Sequence, residues 1–148
     1  MSDTSAFERS HSIDIQVEPG AVLDYVSNPH SWPEWIAASH HLESPDRPLV
    51  KGDTFREHWR TRTGEVVLDW TVTESAPARL WIGETAAEFI GPIIVRYDVE
   101  PHADGCRFTR TMINPARPKP PTADMILRMD AEAETALANI KRNVEARK

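Results

Sequence analysis

From Thr122 nearly to its last residue, the chain reads as one long helix with a single apolar stripe. Ile126, Met129, Ala133, Leu137, Ile140 and Val144 recur at intervals of three and four, the spacing that gathers side chains on one helical face. Thr122 is placed to cap the helix, and Asp124 to meet the positive end of its dipole. About 25 residues at 1.5 Å each span roughly 38 Å, enough to cross a whole sheet. The rest of the chain must therefore supply a broad apolar surface. The segment just before the helix, residues 114–121, is too rich in proline to be a central strand.

That surface is expected from strands. His11, Ile13, Ile15 and Val17 alternate with polar residues, the period-two pattern of a half-buried strand. After Pro19 and Gly20, Val22, Tyr25 and Val26 take helical spacing until Asn28 and Pro29 stop it. Trp32, Trp35 and Ile36 repeat the spacing in a second short helix confined by Pro29 and Pro33. Strands are then expected near 39–44, 53–60, 65–74, 79–86, 93–100 and 106–113, with turn-forming residues between them.

Opposite charges placed across an antiparallel pair fix the register and mark the solvent face. Closing the hairpin around Gly64 sets Arg60 opposite Glu65 and Arg56 opposite Asp69; closing the one around Gly105 sets Glu100 opposite Arg107. The inner face then carries Phe55, Glu57 and Trp59 against Val66, Leu68 and Trp70. Ile93, Val95, Tyr97 and Val99 share it with Phe108, Arg110 and Met112. Between these hairpins, with no hidden bulge, Val72, Trp70 and Leu68 meet Leu80, Ile82 and Glu84, so that Trp81 faces solvent. Four polar residues, Glu57, Glu84, Tyr97 and Arg110, then sit on an otherwise aromatic and aliphatic face. Buried charge is costly unless paired, so these groups are expected either to pair, Arg110 with Glu84 or Glu57, or to serve a ligand.

A chain of 148 residues is the size of one domain (1–148), with residues 1–9 expected as a flexible tail. The formal net charge of −6 disfavours nucleic acid and anionic membranes as partners. No apolar run approaches the roughly 20 residues of a membrane span, so no stable membrane insertion is expected. The first residues lack a basic start and an apolar core, and Cys106 is alone; both fit a cytoplasmic setting.

Several stretches resemble a known family. Ile15 to Pro19, followed by Val22 to Trp35 with its Asn28-Pro29 and Trp32-Pro33-Glu34-Trp35 signatures, is similar to the polyketide cyclase/dehydrase branch of the START-like, or birch-pollen-allergen-like, superfamily. The Gly52 turn before Phe55, and the segment from Trp70 through Glu74, Pro77, Arg79 and Leu80, resemble the same branch. The resemblance implies an α+β helix-grip fold: a curved antiparallel sheet of about seven strands around the long C-terminal helix, with two short helices after strand 1. It also implies an apolar cavity between sheet and helix, with its mouth near residues 89–92 and the proline-rich connector. Lining residues expected on that analogy are Trp35, Phe55, Glu57, Trp59, Leu68, Trp70, Ile82, Glu84, Val95, Tyr97, Phe108, Arg110, Met112, Met125 and Met129. Trp32 and Trp35 would brace the long helix, Trp35 the deeper of the two, with Pro33 and Glu34 in water.

The leading functional expectation is binding of a small hydrophobic or aromatic molecule of lipid, polyketide or isoprenoid type, by a monomer or homodimer without a cofactor. A fold alone does not decide function, and two alternatives stand beside it. One is a metal-free cyclase or dehydratase using Glu57 or Glu84 as base with Arg110 and Tyr97 as donors. The other is a protein-interaction or quinone-accessory module presenting Trp81 and the exposed side of the two-tryptophan helix. His30, His40, His41, His58, His102 and Cys106 show none of the familiar zinc spacings, so no metal is expected. His58 falls on the outer face. His40 and His41 begin a strand, point to opposite faces and cannot readily share an ion.

Overall fold

The computed structural model describes residues 5–37, 39–61, 64–87 and 90–147. The elements run β1 (Ser5–Ile15), α1 (Pro19–Val26), a 3-10 turn (Pro29–Ser31), α2 (Trp32–Trp35), β2 (Ser39–Glu43), β3 (Thr54–Thr61), β4 (Gly64–Ala76), β5 (Leu80–Ala87), β6 (Gly91–His102), β7 (Gly105–Arg117) and α3 (Ala123–Glu145). The strands form one antiparallel sheet of seven, in the order β1-β7-β6-β5-β4-β3-β2. This is the expected curved sheet, with two short helices after β1 and one long helix after β7. Pro19 occupies the first turn of α1, and Thr122 caps α3 by accepting from the Met125 N–H at 3.2 Å.

The first and last strands, neighbours at one edge of the sheet, run longer than the sequence indicates. β1 begins at Ser5, inside the stretch expected as a tail, and pairs along its length with β7. β7 continues through Pro115 to Arg117, inside the expected connector. The β1–β7 ladder shifts register between Ser5 and Phe7, and β6 stops pairing with β7 at Ile94 opposite Ile113. Pro115 thus lies where a missing N–H breaks no regular ladder, as strand prolines generally do.

Two hairpins keep the register that their charges dictate: Arg60 faces Glu65, Arg56 faces Asp69, and Glu100 faces Arg107. Arg56 donates to Asp69 at 2.8 Å, whereas Arg107 reaches across to Asp14 on β1 at 2.9 Å. The β4–β5 hairpin does not follow expectation. A shift between Val72 and Glu74 and a tight turn at residues 77–79 bring Val72 opposite Gly83 and Ala76 opposite Leu80. The face of β5 is thereby inverted. Trp81, Gly83, Thr85 and Ala87 point inward and are buried; Glu84 is exposed, and Ile82 lies on the same outer side. Trp81, expected in solvent, is 1% exposed, which removes it as a surface for a partner.

The core is an aromatic cluster at the β3–β6 side of the sheet. Trp32 is its hub, meeting Phe55, Trp70 and Trp81 edge-on with ring centroids 5.3, 5.6 and 6.1 Å away. Edge-to-face contact at such distances adds to plain burial. Phe55 stacks on Trp70, and Trp81 stacks on Tyr97 at 5.0 Å. Trp32 and Trp35 are equally deep, each 2% exposed, so Trp35 is not the deeper one. Their indole N–H groups are satisfied by the Val26 carbonyl at 2.9 Å and the Ser31 hydroxyl at 3.0 Å. Gly83 makes this packing possible: a Cβ there would stand 2.7 Å from Trp81 Cη2.

α3 lies across the sheet, but unevenly. Ala133, Ala136, Leu137, Ile140 and Val144 are buried. Towards its start, Met125, Ile126 and Met129 are only half-buried, and Leu127 is 68% exposed. Among the described residues no helix is long and apolar enough to cross a membrane.

Candidate functional site

The less buried start of α3 covers a small internal cavity of about 20 Å³, lined by Arg9, His11, Arg110, Met112, Met129 and Ala133. That is room for roughly one water molecule. Where a large apolar cavity is expected between sheet and helix, the described residues carry the packed aromatic cluster. Of the expected lining residues, Arg110, Met112 and Met129 reach the cavity wall. Phe55, Leu68, Trp70, Val95 and Phe108 are buried core, and Trp59 is half-buried at its margin. Met125 is half-buried on α3. Ile82 and Glu84 lie on the outer face and drop out, because the β4–β5 shift turns them away. Of the expected mouth, Phe89 lies outside the described residues; Ile90 is buried.

Three groups of the inner face, Tyr97, Arg110 and Glu57, make an electrostatic unit beside Trp35 of α2. Tyr97 on β6 stands directly opposite Arg110 on β7. The Arg110 guanidinium lies over the Trp35 ring, 5.8 Å from its centroid, so Trp35 does face this site. Among the described residues the Arg110 Nε–H is buried with no hydrogen-bond partner, and the buried Tyr97 hydroxyl has only the Arg110 guanidinium to turn to, without a well-formed hydrogen bond. Burial pushes the Tyr97 phenol well above its usual pKa, against the opposing pull of the Arg110 charge. Glu57 on β3 is 4% exposed and accepts from Trp70 Nε1 at 3.0 Å. Burial raises its carboxyl pKa, opposed by the Ser39 hydroxyl, the Trp70 N–H and the positive charge of Arg110. No ion pair joins Arg110 to Glu57 among the described residues, and Glu84 is on the wrong face. Arg110 is therefore surrounded by Trp35, Tyr97 and a small void, with its Nε–H unused.

Two wall residues were missed from the sequence. Arg9 and His11 lie on β1, on the face it turns to α3, and both hold Asp130. Arg9 Nε donates to Asp130 Oδ1 at 3.1 Å, its Nη2 donates to the other carboxylate oxygen, and His11 Nε2 lies 2.8 Å from Oδ1. The forked arginine–carboxylate geometry is the strong form of this contact. It holds the Asp130 carboxyl below its usual pKa. A signal existed: Asp130 interrupts the sequence beside Met129 and one turn before Ala133, next to the apolar stripe. Asn114, four residues beyond Arg110 on β7, is a further omission; it is 1% exposed and neither amide atom has a partner among the described residues.

On the outer face, His58 bridges Glu43 at 2.6 Å and Glu65 at 2.7 Å, with the His41 ring beside it. The side chain of His40 lies outside the described residues. Among the described residues no group of three or more potential ligands could hold a metal ion.

Residues 6–145 match the sequence profile of the family described as polyketide cyclase / dehydrase and lipid transport. None of the curated proteins compared matches the chain by sequence. Among solved structures, Ara h 8.0201 superposes with a TM-score of 0.72 at 11% identity, over 96% of this chain and 99% of its own. The di-domain aromatase/cyclase StfQ, from the steffimycin biosynthetic pathway, gives 0.76 at 15% identity; 98% of this chain covers 52% of that one, about half of a two-domain protein. The Aha1 dimer from Colwellia psychrerythraea gives 0.69 at 17% identity, over 94% of this chain and 96% of that one. At such identities the likeness concerns the fold, which is the helix-grip.

Proposed function

Because the chain belongs to the polyketide cyclase/dehydrase and lipid transport family, we propose that it binds a small hydrophobic molecule between the sheet and the start of α3, with an oxygen of that molecule accepting from Arg110. The observation that carries this reading is the unpartnered Arg110 Nε–H beside Tyr97 and the cavity. A buried donor left without a partner costs roughly 1–3 kcal/mol, and a carbonyl, enolate or carboxylate oxygen placed there removes that cost. Met112 and Met129, flexible and polarizable, supply an adaptable apolar wall.

A cavity of about 20 Å³ holds no such molecule, since small-molecule sites are usually roughly 300–1,000 Å³. Entry requires the start of α3 to move outward. The half-buried Met125, Ile126 and Met129 and the Asp130 contacts to Arg9 and His11 make that end the releasable one, while the buried residues from Ala133 to Val144 anchor the other. Native mass spectrometry of the purified protein and a thermal-shift panel of fatty acids, aromatic polyketides and prenyl quinones test the reading. A ligand at about 100 times its Kd adds about 2.7 kcal/mol, a rise of roughly 5–10 °C for a domain of this size. Arg110→Met should lose the preference for oxygen-bearing ligands over hydrocarbons. Nothing bound in either experiment ends the proposal.

One observation favours a catalytic version of the same site. Glu57, its pKa raised by burial, sits within electrostatic reach of Tyr97 and Arg110, as an acid/base paired with donors for enolate charge would. Turnover of a poly-β-ketone substrate that survives in Glu57→Gln rules that version out.

A further inference from the structure

At the other end of α3 the surface carries an open groove of about 1150 Å³, walled by α1, Asp46, Pro48, Asp104 and the end of α3. It is separate from the cavity at Met129: Arg147 is 18 residues further along, roughly 27 Å at the helical rise. The groove floor is apolar, with Val17, Ala21 and Val144, and Tyr25 lies in its wall.

One cation already sits in it. The Arg147 guanidinium lies over the Tyr25 ring, 4.8 Å from its centroid, and donates to Glu34 Oε1 at 3.0 Å. The seat is fixed from behind. Tyr25 donates to the same Glu34 oxygen at 2.8 Å and accepts from Asn143 Nδ2 at 3.0 Å, so ring and carboxylate are held as a unit. Burial and the Glu34 contact push the Tyr25 phenol up to about 12, so the hydroxyl stays protonated and keeps donating. An aromatic face joined to a carboxylate is the chemistry that recognises a guanidinium. Its present occupant is held loosely: Arg147 and Glu34 are 58% and 45% exposed, and exposed pairs of this kind contribute little. Around the seat the groove presents Glu18, Asp24, Asp46 and Asp104, all exposed, against Arg147 and His30.

We propose that this groove docks an extended, arginine-bearing segment of a partner protein, one arginine of which replaces Arg147 over Tyr25. The groove is open to solvent rather than enclosed, and its excess of carboxylates complements a basic chain. Arg147 acts as an intramolecular competitor, and its displacement is the step that admits the partner.

The test is fluorescence anisotropy with a dye-labelled peptide of alternating arginine and glycine, with glutamate–glycine peptide and spermidine as competitors. Binding should saturate and be displaced by unlabelled arginine peptide only. Arg147→Gln, which empties the seat, should tighten binding about threefold or more, and Glu34→Gln should weaken it by about the same factor. Arg128→Gln alters net charge equally but lies at the far end of α3, and should leave Kd unchanged. Equal tightening by the two arginine variants would mean attraction to net charge alone. Spermidine binding as tightly as the peptide would replace the protein segment with a free polyamine. Absence of saturation at low ionic strength would also overturn the proposal.

Discussion

Replacing Gly83 by alanine tests the inner face of β5, where sequence and structure part. In the structure the added methyl would lie 2.7 Å from Trp81 Cη2, 3.0 Å from Cζ3 and 3.4 Å from Trp70 Cε3. The first is closer than carbon atoms pack, so a ring must shift. Trp81 has nowhere to go, being stacked on Tyr97 at 5.0 Å and met edge-on by Trp32 at 6.1 Å. Overpacking of this kind costs about 1–3 kcal/mol, against a gain of roughly 0.5–1 kcal/mol for alanine over glycine in a strand. The net loss is roughly 0–2.5 kcal/mol, centred near 1. At about 2–4 °C per kcal/mol for a domain of this size, the Tm falls by up to roughly 10 °C. If Gly83 pointed to solvent, the clash would vanish and the sign would reverse. Thermal and urea denaturation followed by circular dichroism read the difference. A double variant with Trp81→Phe should recover part of the loss, a coupling of about 1 kcal/mol between residues in contact. A Gly83→Ala protein more stable than the parent, or strict additivity with Trp81→Phe, would refute the packing described.

Two further outcomes are expected. Asp130→Asn weakens the tie to Arg9 and His11, so hydrogen exchange should accelerate about three- to tenfold at the amides of residues 123–132 and not beyond Ala136; uniform acceleration along α3 would show that the helix opens as a whole. His58 has its folded pKa raised by Glu65 and then Glu43, so its contribution is fully present below the unfolded value of about 6.5 and is lost as pH rises through the folded one. An NMR titration of His58 should show a midpoint above about 6.5, and the stability gap between the parent and His58→Gln should narrow as pH rises; a midpoint at or below that value would be inconsistent with the bridge.

What the sequence revealed followed where charge punctuates the strands. Arg60 with Glu65, Arg56 with Asp69 and Glu100 with Arg107 pinned two hairpins, and every inner-face residue of β3, β6 and β7 read from them is on that face. The β4–β5 hairpin has no such pair. Its alternation is compatible with either face, and one bulge near Thr73 decided it. Gly83 was the available sign, since a lone glycine inside a strand often marks close approach of another group. The site was less legible. Arg110 and Tyr97 stood out as polar residues on an apolar face, but Arg9 and His11 became neighbours of Asp130 only through pairing across more than a hundred residues. Whether aromatic rings would leave a cavity or fill it depends on rotamers and mutual packing, which periodicity does not encode.

The strand order carries a consequence for how the chain assembles in time. From β2 to β7 every strand lies beside its sequence neighbour, so this meander zips up through short hairpin closures. β1 alone joins a distant partner: Ser10 meets Thr111 across 101 positions. Each doubling of a closing loop adds about 0.6 kcal/mol of entropy, so this closure costs roughly 3 kcal/mol more than that of a short hairpin. Topology of this kind makes the β1–β7 seam the slow, late step of folding. The tie from β1 to Asp130 cannot form before that seam exists. The same end of the molecule that would open last-made contacts to admit a ligand is thus also the last to close when the protein is born.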